Sequence, residues 1–282
     1  MCRLFGFRSI ISSRVHSSLL ECDNALMRQS GEHPDGWGVA YYLQGAPHLI
    51  KSVSAAVEDN LFRQVGGVVA SHTVLAHLRK ATLGQLSIVN THPFQYGRWV
   101  FAHNGNIRDF GRYRQRLLDA IPEEYRRYIL GESDSEVIFY TILATLGRMV
   151  DTSAAEIRVD DLATACREAV QAITRITGPF NPVDGPPEET YLTFIITNGH
   201  TMLAHQGGKE LLYSTYKTKC PEAKTCHGYS PECEAPVTSG AVNHLVLSSE
   251  NLEGENVFIA MSPGEMVGVD AGMRLRLYPT TA

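Results

Sequence analysis

Two long helical patterns lie side by side in the middle of the chain, and most of what flanks them reads as short strands. That order limits the fold more than any other feature. The first pattern is strongly apolar and runs from Ser133 or Asp134, either of which suits a helix cap, to about Met149. The second covers 160–177 and is closed by Gly178-Pro179. Upstream, strand-like runs fall at 3–10, 39–42, 47–53, 68–79 and 99–102, and the pair 39–42 and 47–53 turns over Gln44-Gly45-Ala46 as a hairpin. Shorter helical patterns fit 17–28, with Ser17 or Ser18 as cap, and 59–65 and 107–118, while 122–130 is polar and Tyr-rich. Downstream of the Pro-rich loop 178–187 come strands at 190–197, 201–205, 211–216, 242–248, 265–269 and 273–278. Asn198-Gly199 is a hairpin turn between two of them. Strands, then helices, then strands predict an α+β arrangement of two packed sheets with helices outside. The later strands bring no apolar helices of their own, so 2–282 is read as a single domain.

Charge and hydropathy exclude several partners. The net charge of −5, without a long basic run, gives no electrostatic support for nucleic acid. No apolar run approaches the ~20 residues of a membrane span. Arg3, Arg8 and Arg14 interrupt the first residues, and no signal-peptide pattern follows. A cytoplasmic protein is expected, with its six cysteines mostly reduced.

Polar clusters punctuate the strand ends: His33-Pro34-Asp35-Gly36-Trp37-Gly38, His77-Leu78-Arg79-Lys80-Ala81-Thr82, His103-Asn104-Gly105-Asn106 and Gly131-Glu132-Ser133-Asp134. Each has a structural reading as well. His-Pro-Asp-Gly is a good turn anywhere, Asn104-Gly105 is a common hairpin turn, and Ser133-Asp134 is a good helix cap. The chemistry-bearing candidate upstream of them is Cys2. A cysteine that becomes the first residue carries a thiol and a free α-amine together, a nucleophile with its own base.

Taken in order, Cys2-Arg3-Leu4-Phe5-Gly6, Asp35-Gly36-Trp37-Gly38, His77 to Thr82, Asn90-Thr91-His92-Pro93-Phe94, Phe101 to Ile107 and Ser133-Asp134-Ser135-Glu136 resemble the glutaminase domain of stand-alone class II glutamine amidotransferases, of the N-terminal nucleophile hydrolase superfamily. The match is dense over 2–150 and looser beyond. It implies a four-layer αββα sandwich with two mostly antiparallel sheets between helical layers. It also implies that Cys2 attacks the γ-amide of glutamine or a γ-glutamyl amine to give a γ-glutamyl thioester, which water resolves. The Asn104 side chain and the Gly105 N–H would form the oxyanion hole, where fixed donors meet the developing charge. Arg79 would hold the substrate α-carboxylate, Asp134 the α-ammonium, and Thr82 a further hydrogen bond near the head group.

Where the family often continues into Thr-His, this chain reads Thr82-Leu83, and His92 is the nearby residue placed to fill a similar region. His33, His77 and His103 are read as hydrogen bonders to the fold. No cofactor is expected. Cys220, Cys226, His227 and Cys233 follow a C-x5-C-H-x5-C spacing, which is not a compact zinc knuckle; reduced loop thiols or one adventitious disulfide are the other readings. Three functions stand side by side: hydrolysis of γ-glutamyl amides without a partner, a glutaminase passing ammonia to a separate synthase, and a non-catalytic glutamine-binding regulatory module.

Overall fold

Alternation along the strands explains the architecture, because the central strands send apolar side chains to both of their faces. The computed structural model describes residues 2–81 and 85–280. Its strands are β1 (Arg3–Arg14), β2 (Trp37–Leu43), β3 (Ala46–Ser52), β4 (Ala70–Leu78), β5 (Phe94–Tyr96), β6 (Trp99–Asn106), β7 (Tyr191–Thr197), β8 (Met202–His205), β9 (Leu212–Ser214), β10 (Gly240–Ala241), β11 (His244–Ser248), β12 (Ile259–Ala260), β13 (Met266–Val269) and β14 (Arg274–Tyr278). The α-helices are α1 (Leu26–Gln29), α2 (Asn60–Val68), α3 (Phe110–Asp119), α4 (Glu123–Arg126), α5 (Asp134–Gly147) and α6 (Val159–Thr177).

Two seven-stranded sheets result, in the orders β12-β9-β11-β1-β4-β2-β3 and β10-β14-β13-β8-β7-β6-β5. The pairings within them are antiparallel. Leu4, Leu75, Val100, Ala102, Ile195 and Leu247 meet between the sheets. The alternate residues Phe5, Trp37, Val74 and Ala76 face outward against Leu26, Phe62 and Val65 of the first helical layer. Phe101, Phe194 and Ile196 face outward from the second sheet against α5 and α6, through Phe139, Leu143, Leu162 and Ala169 among others. Each large apolar side chain so enclosed contributes about 1.5–3 kcal/mol. The four-layer αββα arrangement read from the sequence is therefore the one present.

Local expectations hold where one element decides its own shape. Ser133 caps α5, accepting a hydrogen bond from the Ser135 N–H at 3.1 Å. β7 and β8 are joined through Asn198-Gly199, with Gly199 at φ +91°. Three expectations change. The helix over 17–28 is split into a wide π-type turn at Ser17–Glu21 and the short α1, and neither Ser17 nor Ser18 caps it. Between the pieces, Asn24 is drawn out of helical geometry by bonds to the distant Asn251 carbonyl (2.5 Å) and Glu253 N–H (2.8 Å). The helix expected from Ile107 starts at Phe110, because Asp109 before it is left-handed (φ +52°) and breaks the helical run. Asn104-Gly105 is not a hairpin turn: both residues lie inside β6, opposite Thr193 and Leu192 of β7.

Candidate active site

The site is built where β1, β4 and β6 end, around the sulfur of Cys2. Leu4 is locked in place by Ser249, whose Oγ accepts from the Leu4 N–H at 3.0 Å and whose N–H donates to the Leu4 carbonyl at 3.1 Å. Arg3, on the opposite face, pairs with Glu250 and donates to Gln29 Oε1 at 2.9 Å. The residues after Cys2 are thus fastened on both faces, which fixes where the sulfur sits.

The segment after β4 brackets that sulfur. Cys2 Sγ donates to the Lys80 carbonyl at 3.5 Å, and the Lys80 N–H donates to Sγ at 3.4 Å. The segment is itself tied to the Asp35-Gly36 turn. Asp35 Oδ2 accepts from the Ala81 N–H at 2.8 Å, the Asp35 N–H donates to the Arg79 carbonyl at 3.2 Å, and the Arg79 N–H donates to the Gly36 carbonyl at 2.8 Å. Arg79 is buried, and its Nη1 donates to the Gln85 carbonyl at 3.3 Å. Burial pulls its guanidinium below the ordinary range, while Cys2 and Asp35 oppose that shift. Burial raises the Cys2 thiol; the Lys80 N–H and the Arg79 charge oppose this, and the Asp134 carboxylate adds to it. Arg79 and Asp134 therefore bear on the same sulfur with opposite signs.

Asp134 is buried at the first turn of α5, aimed by the Ile107 N–H on Oδ2 and by Ser135 Oγ at 3.3 Å from Oδ1. A carboxylate there also gains from the helix N-terminus. Asn104 shares the inter-sheet face of β6 with Val100 and Ala102 and is buried; its Oδ1 has no hydrogen-bond partner among the described residues. β5 covers β6 only along Trp99–Phe101, so β5 does not reach Asn104 and Gly105 on that edge. Gly105 is required sterically: a Cβ would fall on the Tyr191 carbonyl oxygen.

Of the residues expected at the site, Cys2, Arg79 and Asp134 are brought together electrostatically, and Asn104 and Gly105 sit on the strand whose continuation binds Asp134. Thr82 lies outside the described residues, as do Met1 and Leu83. Cys220, Cys226, His227 and Cys233 lie elsewhere, and among the described residues no group of three His, Cys, Asp or Glu side chains could hold a metal ion. His33 and His103 do bond the fold: His33 Nδ1 contacts the Gln29 carbonyl at 2.8 Å, and His103 lies between the Tyr191 carbonyl and Ser135 Oγ, each at 2.9 Å. The His77 ring lies beside the His103 backbone and packs on His92, centroids 4.2 Å apart. Burial drives the pKa of His77 down to about 3 and that of His92 well below the ordinary range. Space for this pair comes partly from Gly38, where a Cβ would strike the His92 carbonyl.

Sequence reasoning missed the Lys80 backbone, Asp35 as anchor of the bracket, Ser249 as the lock on Leu4, and the His77–His92 pair. Main-chain roles carry no side-chain signature, and the other contacts join residues far apart in sequence.

Two antiparallel sheets between helical layers, with a cysteine leading into a central strand, define an αββα fold of the N-terminal nucleophile hydrolase type. The chain matches the family of class-II glutamine amidotransferases over residues 1–281 and belongs to it. It is 29% identical over 247 residues to a probable glutamine amidotransferase of Saccharomyces cerevisiae, covering 80% of this chain and 67% of that protein. A gamma-glutamyl-hercynylcysteine sulfoxide hydrolase of Mycobacterium tuberculosis is 38% identical over 74 residues, 26% of this chain and 32% of that one. A glutamine aminotransferase class-II domain protein from Silicibacter pomeroyi shares the fold with a TM-score of 0.61 at 21% identity, each chain covered in full (100%). The chain spans 39% to 67% of the length of four curated relatives it matches.

Proposed function

We propose that the protein hydrolyses γ-glutamyl amides, with Cys2 as nucleophile. In this reading the active species begins at Cys2, so that its α-amine is free to take the thiol proton and return it to the departing ammonia or amine. The thiolate adds to the γ-carbonyl, the amide C–N bond breaks, and a γ-glutamyl thioester remains; water then releases glutamate. The Asn104 amide and the Gly105 N–H receive the oxyanion, and loss of such a donor costs about 3 kcal/mol of barrier. Arg79 takes the substrate α-carboxylate and Asp134 the α-ammonium. The observation that carries the reading is the opposed pair of buried charges, Arg79 and Asp134, both acting on the sulfur of Cys2. A free amino-acid head group asks for such a pair beside the reacting amide.

The similarity to a hydrolase named for a γ-glutamyl substrate supports hydrolysis without a partner over ammonia transfer to a separate synthase. The whole chain, 2–282, serves this activity as one domain, with Thr82 adding a hydrogen bond near the head group. The six free cysteines accord with a reducing cytoplasm, and no helix among the described residues is long and apolar enough to cross a membrane.

The test is a panel of glutamine and γ-glutamyl amines of increasing size, with glutamate and the amine both quantified. Glutamate and amine are expected in equal amounts, with at least one γ-glutamyl amine preferred to glutamine. Failure to release glutamate from every member would end the proposal. Within the same assay, Asp134→Asn and Arg79→Lys are each expected to raise KM by about tenfold or more, the loss of one charge-assisted contact. Unchanged KM in both variants would remove them from the head-group site.

A further inference from the structure

A second cavity, of about 720 Å³, lies on the outer face of the first sheet, toward the far end of β1 from Cys2. Phe7 and Ile11 of β1 and Val246 of β11 give it an apolar floor. Cys220, Cys226 and Cys233 all line its wall, so these three cysteines converge on one cavity. Three buried polar atoms that lack a hydrogen-bond partner among the described residues belong to residues lining this one space: His16 Nδ1, His244 Nε2 and Asn256 Oδ1. Orphaned buried polar atoms are rare in folded proteins because each loses its water without replacement, and three around one cavity mark a place where a partner belongs. His244 is only 9% exposed, and burial, helped by Lys217, lowers its pKa to about 4, so its ring is neutral near pH 7. His16 Nε2 lies 3.2 Å from the Glu21 carboxylate.

Charges of both signs line the same space: Arg14 and Lys217, with Glu222, Glu253 and Glu255. Among the described residues none of the five enters an ion pair. A ligand of one sign would use half of this lining. We propose that the cavity is a second small-molecule site, built for a zwitterionic amino acid or short peptide with an apolar side chain. Lys217 and the His244 N–H take the carboxylate. Asn256 Oδ1 and the glutamates take the ammonium, and Phe7, Ile11 and Val246 take the side chain. Occupancy here does not depend on the hydrolytic reading, because none of these residues takes part in it.

The experiment is calorimetric titration of the Cys2→Ala protein with leucine and methionine, beside isoamylamine and 4-methylpentanoate, which carry one charge each. One amino acid is expected to bind per chain, about tenfold or more tighter than either single-charge analogue, and to weaken by about tenfold or more in His244→Phe and in Asn256→Leu. Melting curves report folding of each variant; if His244→Phe fails to fold, Asn256→Leu decides. No saturable binding of either amino acid, equal binding of the amine or the acid alone, or full binding in a folded Asn256→Leu protein overturns the proposal.

Discussion

Cys2→Ala is expected to reduce glutamate release by roughly 10⁵-fold or more, to the level of the uncatalysed reaction, because no other group can form the thioester. The substitution keeps the α-amine, the bracket from Lys80 and the head-group charges, so it isolates the sulfur. Cys22→Ala is the matched control and should retain full activity; Cys22 lies in the helical layer, its Sγ 3.6 Å from Asn24 Oδ1. Intact mass of the active protein should correspond to a chain starting at Cys2. Labelling with a diazo-ketone glutamine analogue should be stoichiometric at Cys2, whereas ligand binding without labelling would favour the regulatory-module reading. Glutamate release that survives Cys2→Ala would sink the mechanism outright.

The second large effect is on stability in acid. His77 is held at a pKa of about 3 and His205 and His244 at about 4, in each case first by burial. In the unfolded chain each returns to about 6.5. Between these values the unfolded state binds more protons than the native one, so stability falls as pH falls. The full contribution is present above about pH 6.5 and is lost progressively toward pH 4. One such histidine changes stability by up to about 1.4 kcal/mol per pH unit within that window, and three by on the order of 4 kcal/mol per unit. Against a typical total of about 5–15 kcal/mol, unfolding is expected between roughly pH 4 and 5. Urea midpoints at pH 7, 6, 5 and 4.5 measure this directly. A midpoint that does not move between pH 7 and 5 would show that these rings are not held neutral.

Much of this protein is legible residue by residue. The apolar run after Ser133 makes a helix buried on nearly all sides, between the second sheet and its helical neighbours, and Ser133 caps it by accepting from the Ser135 N–H. Asn198-Gly199 reverses the chain because glycine reaches the positive φ that the turn needs. Alternation predicts two-faced strands, and two-faced strands predict stacked sheets. Cys2, Arg79, Asn104, Gly105 and Asp134 are legible as candidates through the resemblance of their motifs to those of class II glutamine amidotransferases.

What the sequence left open depends on partners outside the local stretch, from 15 residues away (His77 and His92) to 245 (Leu4 and Ser249). Asn104-Gly105 has the local preference of a turn, yet β7 pairs along β6 as far as Asn106 and holds both residues extended. The placement of Cys2 rests on Ser249 and on the Lys80 backbone, at sequence separations of 245 from Leu4 and 78 from Cys2. The stacking of His77 on His92, the break at Asn24, and the gathering of Cys220, Cys226 and Cys233 around a cavity arise in the same way. Periodicity and capping are short-range and are written in neighbouring residues. Sheet register, burial of a charge and the closing of a cavity are set by which distant surfaces exclude water together, and only the folded chain decides that.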